Sequence, residues 1–199
     1  ATVNKKEPDF EMIKNLAAEC RMPFCYGGGV TSVEHAKKII KLGAEKVALS
    51  AAAIANPELV TKISEEIGAQ SVVVVLDVKK KGLFGKYEVF THNGTKATGK
   101  SPFELAEDFE RRGVGEIVLN NIDTEGTMKG FDFKLIDGVR EIISKPMTVL
   151  GGAGDAEDIK KVIDKYKIIG VAAGSLFVFK GKYRAVLINY TPYNSLFNL

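Results

Sequence analysis

The stretch from Ser71 to Lys81 restricts the fold more than any other part of this chain. Its run Val72-Val73-Val74-Val75-Leu76 is apolar, rich in β-branched residues and free of polar alternation. A strand of that composition is buried on both faces, as in a parallel sheet covered by helices. The run stops at Asp77. An acid at the carboxyl end of a buried parallel strand stands where α/β folds carry their chemistry, so Asp77 is the leading candidate for a catalytic residue. The plainer role for the same side chain is a helix cap or a salt bridge with Lys79.

The rest of the chain alternates around that strand. Pro8 suits the first turn of a helix reaching about Ala18, and Met22 to Tyr26 reads as a short strand ended by Gly27-Gly28-Gly29. Thr31 or Ser32 caps a helix that Gly43 closes; Lys46 to Leu49 is a strand, and a helix runs from Pro57 through Ile67. After Asp77, the segment Lys79 to Phe90 reads as a hairpin insertion. Ser101-Pro102 starts a helix to Gly113, followed by strand Glu116 to Leu119, helix Asp132 to Ser144, strand Met147 to Leu150, helix Asp155 to Tyr166 and strand Ile168 to Ala172. Six strands alternate with six helices in this reading, which predicts one α/β domain over residues 1–199.

An internal repeat sharpens the prediction. Gly27 to Ala48 can be laid on Gly151 to Ala172 without a gap at an offset of 124 (151 minus 27). Both copies read strand, glycines, helix with a Lys-Lys pair, strand and small residues, which suggests a barrel of two related halves. Moving Asp77 back by the same offset lands before Ala1. The expected fold is therefore an incomplete (β/α)8 barrel of the TIM type lacking its first strand, helix and second strand.

Gly27 to Gly29 and Gly151 to Gly154 each follow a strand and precede a helix, an arrangement in which backbone N–H groups can surround a phosphate. Ser50-Ala51 and Gly174-Ser175 supply a second small-residue turn beside each cluster. Two phosphate cradles are expected, with tight-turn geometry as the alternative use of the glycines. No dinucleotide or P-loop fingerprint occupies a strand-to-helix turn, since Gly99-Lys100-Ser101 lacks the upstream glycine and strand. Cys20 and Cys25 stand without a ligand cluster and read as buried thiols, and no metal or cofactor is expected. A formal charge of +3 with scattered lysines does not suggest nucleic-acid binding, and no apolar run is long enough for a membrane span. A cytoplasmic protein is expected.

These residues resemble the cyclase subunit family of imidazole glycerol phosphate synthase, a (β/α)8 barrel of histidine biosynthesis. The likeness runs from Ala1 to about Phe179. It is carried by Phe24 to Val30, Gly43 to Val47, Ser71 to Lys79, Ile122-Asp123-Thr124-Glu125-Gly126-Thr127 and Gly151 to Gly154. It implies a lyase/cyclase that uses ammonia from a HisH-like glutaminase subunit, bound as a heterodimer. That ammonia converts a bisphosphate ribulosyl-formimino-carboxamide nucleotide to imidazole glycerol phosphate and aminoimidazole carboxamide ribotide. Asp77 would be one of two catalytic aspartates, the other lying on the absent first strand, so this chain alone is expected to be an incomplete catalyst. Gly29, Ser50 and Ala51 would hold one phosphate, and Gly126, Gly152, Gly174 and Ser175 the other. Lys46 and Glu116 would gate an ammonia passage, where the residues alone read as strand-edge charges. The insertion from Lys79 to Lys86, with Thr91, Asn93 and Thr98, resembles a loop that closes over substrate; its alternative is a solvated hairpin.

Glu125 stands where the family commonly has Asp, and Ser50-Ala51 where Asn-Thr is usual. Lys182 to Tyr190 replaces an expected final helix. That ending, with Leu119 to Asp123, resembles a paralogous branch in which a similar barrel and glutaminase deliver ammonia to an amidotransferase in acetamidino-sugar formation for surface polysaccharides. That branch is the alternative functional expectation.

Overall fold

The computed structural model describes residues 6–82, 85–180 and 185–188. The tail that departs from the expected final helix lies mostly outside them. Helix α1 (Phe10–Glu19) precedes strand β1 (Cys25–Gly27), α2 (Val33–Lys41), β2 (Lys46–Leu49), the short α3 (Ala51–Ala55), α4 (Glu58–Ile67) and β3 (Val72–Lys81). Next come β4 (Lys86–Thr91), β5 (Lys96–Ala97), α5 (Pro102–Arg111), β6 (Glu116–Asn121), α6 (Phe133–Arg140), β7 (Met147–Leu150) and α7 (Ala156–Tyr166). The described chain ends with β8 (Gly170–Ala172), the short α8 (Ser175–Val178) and the strand pair β9 (Phe179–Lys180) and β10 (Ala185–Val186).

Neighbours along the path β1-β2-β3-β6-β7-β8 are parallel throughout. With helices in the crossovers, this is the (β/α)8 barrel type in incomplete form, with six of its parallel strands among the described residues. Burial alternates along the strands. Val47, Leu49, Ile117, Leu119, Met147 and Val149 are buried, and share one core cluster with Ile39, Ile63, Phe109, Val139 and Val162 of the helices. The alternate residues Lys46, Ala48, Glu116, Val118, Asn120, Thr148 and Leu150 are half-buried on the opposite face, which lines the lumen.

Side-chain caps fix the helix starts. Ser32, Asp132 and Asp155 accept from the backbone N–H three residues on, and Ser101 accepts from Phe103 N with Pro102 at the first helical position. The first helix departs from expectation. Asp9 caps it by accepting from Met12 N, so Pro8 precedes the helix instead of sitting in its first turn. Nor was α3 anticipated, because five consecutive small or apolar residues carry no amphipathic period. The buried-thiol reading is corrected as well: Cys20 and Cys25 are both exposed residues.

Strand β3 does not end at Asp77. Its first part pairs with β2, Val73 to Val78 pair with β6, and Asp77 to Lys81 pair antiparallel with β4. Buried Val78 and Val89 prolong the apolar pattern, which is why the ladder continues into the hairpin. Asp77 therefore sits mid-strand, where the parallel sheet gives way to the insertion.

The repeat holds with one correction. Gly28 and Gly29 correspond by backbone conformation to Gly151 and Gly152, all at positive φ. The caps Ser32 and Asp155 match, as do the buried pairs Ala36/Ile39 and Ile159/Val162. All of these share an offset of 123 (152 minus 29). From Gly43 and Lys167 onward the offset is 124, through the N-caps Ser50 and Gly174. One extra residue thus enters the second copy near the end of α7. Lys167 absorbs it at φ 63° and ψ −63°, with Ile168 N donating to Tyr166 O, a γ-turn of the strained kind.

Candidate active site

Asp77 and Asn120 are register partners on the two central strands, and Asn120 Nδ2 donates to Asp77 Oδ1 at 2.7 Å. Both share the lumen face with Val75, two residues before Asp77, which lines a cavity of about 660 Å³. Burial pushes the Asp77 carboxyl above its usual range, and the Asn120 bond opposes that rise by favouring the ionised form. The alternative of a salt bridge with Lys79 is not what forms, because Lys79 Nζ donates to Gly94 O at 2.9 Å. Asn120 was not singled out from the sequence, since a strand asparagine has no periodic signal and only strand pairing puts it against Asp77.

Two recesses flank this pair. On one side, Gly29, Ser50 and Ala51 line a cavity of about 660 Å³ with Gly27, Gly28 and Ala52. On the other, Gly126, Gly152, Gly174 and Ser175 line a small recess with Glu125 and Gly151. Each recess lies at the carboxyl ends of an outer strand pair, β1/β2 or β7/β8. The glycines also meet a packing demand: a Cβ on Gly29 would come 2.5 Å from Lys6 O, and one on Gly152 would come 2.0 Å from Gly130 O. Close backbone approach therefore requires glycine at both positions whether or not a phosphate binds. Glu125 brings a carboxylate into the second recess, with Oε1 3.9 Å from where a Cβ on Gly174 would stand.

In the hairpin, Thr91 is buried at 5% exposure with its hydroxyl directed to Lys96 O at 3.5 Å, and Asn93 occupies the turn at φ 57°. His92, not Thr91 or Asn93, is the residue of that turn in the cavity wall, and His35 of α2 joins it there. His92 and Asn93 both stand at positive φ in this turn, a conformation that alternation along the strand could not forecast. Thr98 Oγ1 donates to Val89 O at 2.6 Å, bracing the hairpin.

At the opposite, amino-terminal ends of the strands, Lys46 Nζ meets Glu116 Oε2 at 2.5 Å, and Thr148 Oγ1 donates to Glu116 Oε1 at 2.6 Å. Thr148 is an unanticipated member of this group. Cys25 opens to solvent at the strand edge. Even so, protein packed around its sulfur, joined by the Glu116 carboxylate and opposed by Lys46, pushes its pKa up to about 11. Between this group and Asp77 the lumen face carries Ala48, Val75 and Val118, all apolar.

Comparison with known proteins gives a consistent result. The family model described as "Histidine biosynthesis protein" matches residues 1–184. The chain is 51% identical over 184 residues to "Putative imidazole glycerol phosphate synthase subunit hisF3" of Vibrio vulnificus, covering 92% of this chain and 71% of that protein. A Leptospira interrogans subunit HisF with the same qualified description is 50% identical, covering 93% of this chain and 73% of its own length. "Imidazole glycerol phosphate synthase subunit HisF" of Thermococcus onnurineus is 40% identical over 92% of this chain and 71% of its own length.

Proposed function

Because the chain belongs to the histidine biosynthesis protein family, we propose that it is the cyclase subunit of an imidazole glycerol phosphate synthase. In this reading it is a lyase-type enzyme supplied with ammonia by a glutaminase subunit. One observation carries the reading. The two recesses sit on the outer strand pairs, and Asp77 with Asn120 sits on the two central strands between them. A substrate with a phosphate at each end, held in both recesses, lays its reactive middle over Asp77.

The chemistry asks for proton transfer at that point. Ammonia adds through its nitrogen to the keto carbon of the bisphosphate nucleotide, and the carbonyl oxygen leaves as water. Ring closure with cleavage then gives imidazole glycerol phosphate and the aminoimidazole carboxamide ribotide. Asp77, raised by burial, is suited to hold a proton for a departing oxygen or nitrogen and to take one back. A second carboxylate opposite it would complete the pair. Lys46, Glu116 and Thr148 form the entry for ammonia, and the apolar residues above them favour the neutral molecule over ammonium.

The test is incubation of the full-length protein with the bisphosphate nucleotide and ammonium salt, followed by chromatography. Both products are expected in equal amounts, and their absence with intact protein would sink the reading.

A further inference from the structure

The chain has two histidines, far apart in sequence, and the fold brings both to the wall of one cavity. His35 stands in the first turn of α2, directly after the Gly27 to Gly29 turn, and His92 comes in from the hairpin. The His35 ring is held in one tautomer. Its Nδ1 accepts from Thr31 N at 3.5 Å, and a backbone N–H can only donate, so the ring proton resides on Nε2. Phe10 meets the ring in a T-shaped contact with centroids 5.9 Å apart, which restricts its rotation. The Nε2–H donor itself has no hydrogen-bond partner among the described residues.

The cavity has room for a ligand at that donor. Its volume of about 660 Å³ falls in the range of roughly 300–1,000 Å³ that takes a whole small molecule. Besides the histidines, its polar side chains are Thr31, Ser50 and the opposite charges Lys6 and Glu7. Ser50 makes no side-chain cap bond, so its hydroxyl is not committed to α3. The recess at β7/β8 differs in both respects. It holds about 10 Å³, close to the space of one water, and the charged residue lining it is Glu125.

Resting on the reading that a phosphate occupies each recess, we propose that His35 is the side-chain donor that grips the phosphate of the β1/β2 recess, and that this recess is the stronger anion site of the two. Nε2–H meets a phosphate oxygen, an acceptor that strengthens the bond through its charge. The donor is already oriented by Thr31 and Phe10, so little side-chain freedom is lost when the ligand arrives. In the other recess the Glu125 carboxylate opposes an anion, and the two ends of a bisphosphate are therefore held unequally.

The experiment uses the full-length protein with the variants His35→Leu and His35→Gln. Leucine keeps bulk against Phe10 and removes the donor, whereas the glutamine amide restores an N–H. His35→Leu is expected to raise KM for the bisphosphate nucleotide about tenfold with kcat within about twofold, the pattern of a contact made equally before and during the reaction. His35→Gln recovers most of that loss, which a purely structural role would not predict. Imidazole 15N spectra of the wild type provide a readout without turnover. At mildly alkaline pH they are expected to show the His35 proton on Nε2, and that signal is expected to shift with inorganic phosphate at lower concentration than the backbone amide of Gly174 does. A proton on Nδ1, an Nε2 that ignores phosphate, a Gly174 amide that responds first, or an unchanged KM in His35→Leu overturns the proposal. A responsive His35 in a protein that makes no product keeps the phosphate grip and removes the cyclase reading alone; both products from a protein with a silent His35 do the reverse.

Discussion

Asp77 feels two opposing influences, and their balance fixes what its replacement should do. Burial raises its carboxyl and the Asn120 amide restrains the rise, so the folded state binds the proton more tightly than the unfolded chain does. With the folded value raised, stability is greatest below the ordinary carboxylate range and falls as pH climbs through the shifted one. Asp77→Asn should therefore flatten the stability profile over that window, measured by denaturant unfolding at a series of pH values. The same change should lower turnover with ammonium salt by about 10²–10⁴-fold, the usual weight of a general acid or base, and leave nucleotide KM nearly unmoved. A variant that kept full turnover would remove Asp77 from the chemistry. Asp77 was legible in the sequence because a charge closing a β-branched run breaks a pattern. Asn120 and Thr148 were not, since their meaning comes from strands 43 and 32 residues away in the chain.

Among the elements, the β3–β4 hairpin is tied to α6 through Asp132. Asp132 caps α6 by accepting from Leu135 N, receives Tyr87 OH at 2.9 Å, and pairs with Lys80 Nζ at 2.8 Å. Burial pushes this carboxyl up, but the bonds from Lys80, Tyr87 and Leu135 outweigh it and hold Asp132 below its usual range. Asp132→Ala should cost about 1–2 kcal/mol at neutral pH, combining a lost cap with solvent-screened charged hydrogen bonds. The sign follows from a depressed carboxyl: the contribution is present above the ordinary carboxylate pKa and disappears as pH falls through the lowered one. Thermal midpoints that differed equally at pH 7 and pH 2.5 would contradict it. The capped helices were readable because Ser32, Ser101-Pro102, Asp132 and Asp155 announce their own starts. The hairpin was readable as an insertion, but its extent was not, because β3 runs on through Asp77 only once β4 is there to pair with it.

For the molecule as a whole, strand alternation and the two-copy pattern were enough to indicate the barrel type, while the contents of its flanks depend on contacts that no local pattern encodes. Among the described residues, β1 pairs only with β2, and β8 only with β7. Met12 and Leu16 of α1 are 44% and 49% exposed, and Ile168 before β8 is 89% exposed. Open strand edges beside exposed apolar side chains invite association. The 199-residue polypeptide by itself should show a sedimentation coefficient that rises with concentration, and a single monomeric species across a hundredfold range would refute this.

The γ-turn at Lys167 adds a statement about descent. If the two copies arose by duplication, the later insertion was accommodated at the amino-terminal side of β8, at the end opposite the two glycine-lined recesses. The glycine turns and the short helices α3 and α8 kept their correspondence while the helix between them grew. Lys167→Gly should release part of the left-handed strain and raise stability by up to about 1 kcal/mol, with nucleotide affinity unchanged. A fold of this kind keeps its history of edits at one end and its inheritance at the other, and crossovers between the two copies would be best tolerated at that turn.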